Sequence, residues 1–151
     1  MRIPLNIEKT GFVTTIGTIR SERLRIFKSI KFILDTGSPK SFLSELDAHL
    51  LNIPFAKLNF TESALLGGTK IALALIDVSI SFLDEKNNVK KYNPKNFYVA
   101  KGMWTKHGIV SATPSILGSD FLKETEMALY FNPSKSIAYL EKEENTTETD
   151  K

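Results

Sequence analysis

The sequence predicts a mainly β domain with two short helices. Runs rich in β-branched residues alternate with polar turns, and only two segments carry the signals of a helix start. The composition, 42% hydrophobic and 25% charged, is that of an ordinary globular domain. A chain of 151 residues is expected to form one domain, here residues 1–140. The polar residues 141–151 are predicted to be a disordered tail.

The first half of the predicted domain contains a strand pair and a helix. Residues 11–20 are predicted to form a strand, with Gly17 marking a bulge or bend. Residues 24–34 return as a second, longer strand. Beyond the turn that follows, Ser44 is typical of a helix N-cap, and this short helix is expected to end before Pro54.

The second half begins with two adjacent glycines, Gly67 and Gly68, between apolar arms, a pattern that predicts a hairpin. The second arm is predicted to run on as a strand through residue 82, although its alanines and leucines also permit a helix at 71–75. A loop at 102–114 precedes a second helix from Ser119, with Asp120 interpreted as its cap. The remaining predicted strands are 96–100, 128–131 and 136–140.

One carboxylate follows the second strand directly. Asp35-Thr36-Gly37-Ser38 comes after the apolar run at 30–34. A carboxylate at the end of a buried strand costs free energy, so such a group is usually retained for chemistry. About eighty residues later, Ile116-Leu117-Gly118 opens into Ser119. This triplet is a candidate framework for the turn.

Composition excludes several other classes of site. The chain has no cysteine, so disulfides and thiol catalysis are excluded. With only two histidines, His49 and His107, no metal site is predicted. The net charge of +3 is scattered, so neither nucleic acid nor membrane is an expected partner. No apolar run is long enough to span a membrane and the N-terminus is quickly charged, so a cytoplasmic location is expected.

This order of parts resembles the retropepsin-like aspartic proteases, the single-domain enzymes of retroviral type. The resemblance runs from about Gly11 to Leu140 and is carried by residues 33–38 together with 116–122. It implies a closed β-barrel equivalent to one lobe of a pepsin-type fold. It also implies a homodimer, because a chain with one Asp-Thr-Gly turn supplies only one of the two carboxyl groups required.

The resemblance assigns roles to the turn. Asp35 is the expected catalytic residue, with a water activated between the two Asp35 carboxyls and an acidic optimum. Thr36 is expected to hydrogen-bond across the dimer, and Gly37 to let backbone N–H groups approach the carboxylates. The Ser38 hydroxyl is expected to donate to the outer carboxylate oxygen. On that basis Ser38→Ala would move the acid limb of the activity profile upward.

The resemblance also assigns the surroundings of the site. Leu66-Gly67-Gly68-Thr69 corresponds to the flap that closes over a bound peptide, and Ile116-Leu117-Gly118 to a supporting loop without chemistry. Residues 1–9 and those near Leu140 are candidates for a sheet that joins the protomers. No cofactor is implied, and the expected partners are a second copy of the chain and a peptide or protein substrate.

The sequence is also compatible with other interpretations. The chain is alternatively a catalytically weak peptide-binding or dimerisation module, or a monomer that requires a different partner. Asp35-Thr36-Gly37-Ser38 and the two glycines are also compatible with ordinary turns. Trp104 is interpreted as a partly buried anchor, His49 as a surface residue of the first helix and His107 as structural or solvated.

Overall fold

Strands dominate the computed structural model, which describes residues 1–66, 68–102 and 114–143. The strands are β1 (Arg2–Pro4), β2 (Asn6–Ile7), β3 (Val13–Ser21), β4 (Ile26–Leu34), β5 (Ser41–Leu43), β6 (Glu62–Leu66), β7 (Thr69–Ile76), β8 (Ser79–Leu83), β9 (Val89–Tyr92), β10 (Phe97–Lys101), β11 (Ser115–Leu117), β12 (Ala128–Asn132) and β13 (Ile137–Glu141). The helices are α1 (Glu45–Leu50) and α2 (Ser119–Thr125), with 3-10 turns at Phe55–Lys57 and Pro133–Lys135.

The larger sheet has the strand order β6-β7-β10-β5-β11-β4-β3-β8-β9, with β2 paired to β3. The mainly β class is therefore confirmed. The closed barrel implied by the resemblance is not found in the described residues, since no pairing joins β6 to β9 at the two ends of this order. The sheet is open at both ends within that part of the chain.

The parallel pairing of β11 with β4 inside this sheet positions the ends of both strands. Strand β11 pairs in parallel with β4, and Leu117 lies opposite Leu34. Strand β5 lies between β11 and β10 and pairs in parallel with β10. Because parallel strands end at the same edge, the residues after Leu34 and Leu117 leave the sheet side by side. These residues are Asp35 and Gly118.

Two apolar clusters are buried by this arrangement. The larger one includes the fully buried rings of Phe32, Phe82, Phe97 and Phe121. Burying such side chains contributes about 2 kcal/mol each, which makes this cluster the main source of stability. The smaller cluster consists of Phe42, Ile71, Leu73, Tyr98, Ala100 and Ile116, with Ala64 packed against it. It connects the β6–β7 hairpin to β5, β10 and β11.

Gly17 lies within a regular strand pair, so the predicted bulge or bend is wrong. The β3–β4 register is unbroken from Thr14 to Ser21, and Gly17 pairs with Ile30. A Cβ at Gly17 would lie 2.9 Å from the Phe82 ring and 3.1 Å from the Phe32 ring. Glycine is required here because these core rings occupy the space of a side chain.

A second, three-stranded sheet joins the two ends of the described chain in the order β1-β13-β12. Within it, Ile3 lies opposite Leu140, and both side chains are fully buried. Residues 1–9 and those near Leu140 were the candidates for a sheet between protomers. In the structure, β1 and β13 from these segments pair with each other within one chain. No described helix is long and apolar enough to cross a bilayer.

Most sequence-predicted elements are confirmed. Ser44 is the N-cap of α1, and its hydroxyl accepts the Asp47 N–H at 3.1 Å. Residues 71–75 belong to strand β7, so the helical alternative is wrong. The predicted strands at 96–100, 128–131 and 136–140 correspond to β10, β12 and β13. Strands β1, β2, β5, β9 and β11 were not predicted, since all are four residues or shorter.

Candidate active site

Asp35 begins the turn after β4, and backbone hydrogen bonds hold it there. Its N–H donates to the Leu117 carbonyl at 3.0 Å, and its own carbonyl accepts the Ser38 N–H at 3.0 Å. The Gly37 N–H donates to Asp35 Oδ1 at 3.0 Å. The carboxylate is partly buried and forms no ion pair among the described side chains. The Gly37 backbone therefore fixes one oxygen of a carboxylate that has no cationic partner in the described part of the chain.

Gly118 packs directly against the backbone of this turn. A Cβ there would lie 2.7 Å from the Lys40 carbonyl oxygen and closer still to that of Ser38. The next residue, Ser119, donates its N–H to the Ser38 carbonyl at 2.8 Å. The predicted triplet thus meets the Asp35 turn in the structure, and its glycine permits the close approach.

A side-chain network behind the turn was not predicted from the sequence. The Asp120 carboxylate accepts the Ser41 N–H at 3.1 Å and the Ser41 hydroxyl at 2.5 Å. The Ser41 hydroxyl oxygen in turn accepts the Gly118 N–H at 2.8 Å. Asp120 is not the cap of α2, because Gly118 is the N-cap and carries no side-chain cap. Through these hydrogen bonds, Asp120 instead connects the start of β5 to the first turn of α2.

The Ser38 hydroxyl does not donate to Asp35, so that expected role is wrong in the described chain. It donates to the Lys40 carbonyl at 2.7 Å. A serine hydroxyl has a single proton to donate, and that proton is used inside the turn. The Asp35 oxygen Oδ1 receives its hydrogen bond from the Gly37 backbone instead.

Ser38→Ala is therefore expected to leave the acid limb of any activity profile in place. Losing the bond to Lys40 should cost about 1 kcal/mol of unfolding free energy. A pH–rate profile and a urea unfolding curve of the same variant check both expectations. An upward shift of the acid limb with unchanged stability would restore the role first assigned to Ser38.

The predicted flap is a hairpin in the structure. Strands β6 and β7 pair in antiparallel register from Glu62 with Leu73 to Leu66 with Thr69. Gly68 has φ +80°, a left-handed conformation that favours glycine in tight turns. Gly67 lies outside the described residues. The predicted hairpin is therefore confirmed. Its closure over a bound peptide remains a prediction.

A charged cluster joins this hairpin to the turn. Lys40 Nζ forms an ion pair with the Glu62 carboxylate on β6 and lies 4.8 Å above the centre of the Tyr98 ring on β10. The pKa of Glu62 is lowered, first by the hydrogen bond from Lys40 and then by one from Tyr98. The pKa of Lys40 is raised, chiefly by the bond to Glu62. Burial raises the pKa of Tyr98.

The structure places only some of the remaining sequence-predicted residues. Thr36 is exposed, and its hydrogen bond across a dimer remains a prediction. His49 is exposed on α1, and its ring stacks on Phe55 at 4.5 Å. Trp104 and His107 lie outside the described residues. Within residues 1–66, 68–102 and 114–143, no group of three histidine or acidic side chains is arranged to hold a metal ion.

Comparison with known proteins identifies the fold. No protein-family model and no curated protein matches the sequence. The structure is similar to the crystal structure of a retropepsin-like aspartic protease from Rickettsia conorii, with a TM-score of 0.62 and 19% identity over 92% of this chain and 98% of that one. The retroviral protease-like domain of Ddi1 from Leishmania major aligns with a TM-score of 0.42 and 16% identity over 76% of this chain and 78% of that one. The chain has a retropepsin-like fold.

Proposed function

We propose that the protein is an aspartic endopeptidase that acts as a homodimer. The observation that carries this proposal is the Asp35 turn, whose carboxylate is oriented by the Gly37 N–H and left without a cation in the described structure. The retropepsin-like fold also supports the proposal, because the chain shares it with a protein from Rickettsia conorii that is described as a retropepsin-like aspartic protease.

The chemistry requires two carboxyl groups around one water. One is ionised and takes a proton from the attacking water, while the other is protonated and polarises the scissile carbonyl. Two like charges about 3 Å apart cannot both ionise, so the pair holds a single proton over part of the acidic range. An acidic optimum follows for this reaction.

The second carboxyl group comes from a second copy of the chain. The sequence contains one Asp-Thr-Gly and no Asp-Ser-Gly, so a single protomer provides only Asp35. A two-fold axis through the site would place Asp35 opposite the Asp35 of the other protomer, because a C2 contact is self-complementary. The outer strands of the terminal sheet, β1 and β12, each have one edge unpaired in the described chain and are candidate contacts.

The substrate is a peptide or protein segment in extended conformation. It would lie between the Asp35 turn and the β6–β7 hairpin, with its backbone added as a strand and its side chains in apolar pockets. Closure of the hairpin over the peptide would expel water from the two carboxyls.

Cleavage of an unfolded protein substrate at acid pH, with and without pepstatin, tests the proposal. Pepstatin mimics the tetrahedral intermediate of this reaction class, and such analogues bind much more tightly than substrates do. Pepstatin-sensitive cleavage supports the endopeptidase. A dimer without cleavage across the pH range would instead indicate a peptide-binding or dimerisation module.

A further inference from the structure

We propose that Lys40, Glu62 and Tyr98 form a latch that sets the position of the β6–β7 hairpin over the Asp35 turn. In this view Lys40 and Glu62 are positioning residues that act on the hairpin rather than on the substrate. The existence of the latch is independent of the proposed function, whereas its effect on catalysis rests on it.

Lys40 extends from a rigid base. Its carbonyl accepts the Ser38 hydroxyl at 2.7 Å and lies against Gly118. The next residue, Ser41, is held by the Asp120 carboxylate through two hydrogen bonds. The backbone of Lys40 therefore moves only if the Asp35 turn moves. The Lys40 ammonium group therefore ties the Glu62 carboxylate to the position of that turn.

Glu62 lies on an edge strand of the large sheet. Strand β6 is the first in the strand order and pairs only with β7 in the described residues. An edge strand held by a single partner opens at low free-energy cost unless side chains secure it. Glu62 is the first residue of β6, and its ion pair with Lys40 spans from the hairpin to the turn.

The Tyr98 ring lies beneath the Lys40 ammonium group of the ion pair. Tyr98 is only 4% exposed and belongs to the smaller apolar cluster. The ring under the Lys40 ammonium removes water from one side and attracts the cation. Exposed ion pairs contribute little by themselves, and here the attraction of the ammonium group to the ring adds to the pair. The Lys40 side chain is 30% exposed and that of Glu62 43%.

The charges around Glu62 determine how the latch responds to pH. Lys40 and Tyr98 face it directly, and Lys70 and Lys101 line the same cleft as Glu62. Because the folded-state pKa of Glu62 is lowered, the pair is formed above the ordinary glutamate range and persists somewhat below it. It is lost as the pH falls through the lowered pKa. The latch is thus expected to hold through moderate acidity and to weaken at strong acidity.

Hydrogen exchange of the hairpin amides tests the latch without any proteolysis. Glu62→Gln and Lys40→Met should each speed exchange in residues 62–66 and 69–73 about fivefold, while β3 and β4 keep their protection. The charge-swapped double variant Lys40→Glu/Glu62→Lys should restore part of the protection, because it re-forms the ion pair but loses the cation over the Tyr98 ring and places a lysine near Lys70 and Lys101. Glu22→Gln, which removes the exposed Arg20–Glu22 pair on the β3–β4 turn, is the matched control and should change nothing in the hairpin.

Peptidase kinetics on the same variants test the positioning role. The single variants should raise KM several-fold with kcat nearly unchanged, and the charge swap should lower KM again. Unchanged hairpin exchange, or equal acceleration in β3 and β4, would overturn the latch even if the protein is a peptidase. Faster hairpin exchange with an unchanged KM would overturn the positioning role. A wild-type protein that does not cleave, but shows the exchange pattern, would refute the proposed function and leave the latch established.

Discussion

Asp35→Asn is expected to abolish proteolysis, lowering kcat by about a thousandfold or more. Asparagine cannot take a proton from water, nor can it share one with a facing carboxyl group. The side-chain oxygen of asparagine can still accept the Gly37 N–H, which reaches Asp35 Oδ1 at 3.0 Å. The turn, and with it the fold, should therefore survive the substitution.

The measurement is initial cleavage rate at the optimum pH, together with a thermal unfolding curve. Asp77→Asn is the matched control, because Asp77 is an exposed aspartate between β7 and β8. The control should keep wild-type activity within about twofold, as surface substitutions usually do. Activity in a folded Asp35→Asn protein would mean that another group performs the chemistry.

Gly118→Ala is expected to have the largest effect on stability, a loss of about 3 kcal/mol of unfolding free energy. The added methyl would meet two backbone oxygens, one of them at 2.7 Å, and backbone cannot rotate away as a flexible side chain can. Relief requires moving the Asp35 turn away from α2. Cleavage activity should fall with stability, since that turn carries the carboxylate.

Gly68→Ala is the control for Gly118→Ala. A Cβ at Gly68 has nothing within 4 Å, but φ is +80°, so only the backbone strain of about 1 kcal/mol applies. Urea unfolding of both variants separates the two causes. Equal losses for the two glycines would show that close packing at Gly118 does not hold the turn.

The strands and the turn could be predicted because their signals are local. A β-branched run leading into Asp35 indicates a strand and its end, and Ser44 before acidic residues indicates a helix start. The resemblance carried by Asp35-Thr36-Gly37-Ser38 and Ile116-Leu117-Gly118 then predicted the retropepsin-like fold. The structure brings these two segments together through the hydrogen bond from the Asp35 N–H to Leu117.

The contacts that hold the site could not be predicted because their partners are far apart in sequence. Ser41 and Asp120 are separated by 79 residues, and nothing local distinguishes Asp120 from a helix cap. Lys40 and Glu62 are 22 residues apart, on a turn and on a strand whose pairing fixes the distance between them. The donor assigned to Asp35 was wrong for a different, local reason: the Ser38 hydroxyl donates to the Lys40 carbonyl two residues later.

The central claim is that one catalytic site needs an Asp35 from each of two chains, and a mixing experiment tests it most directly. Wild-type protein and the Asp35→Asn variant are combined at equal amounts and fixed total concentration, well above the dimer dissociation constant, and cleavage is measured after exchange of protomers. Random pairing leaves about one quarter of the dimers with two aspartates, so activity should fall to about one quarter of that of pure wild type. A fall to only one half would mean that each chain cleaves on its own, and would contradict the shared site.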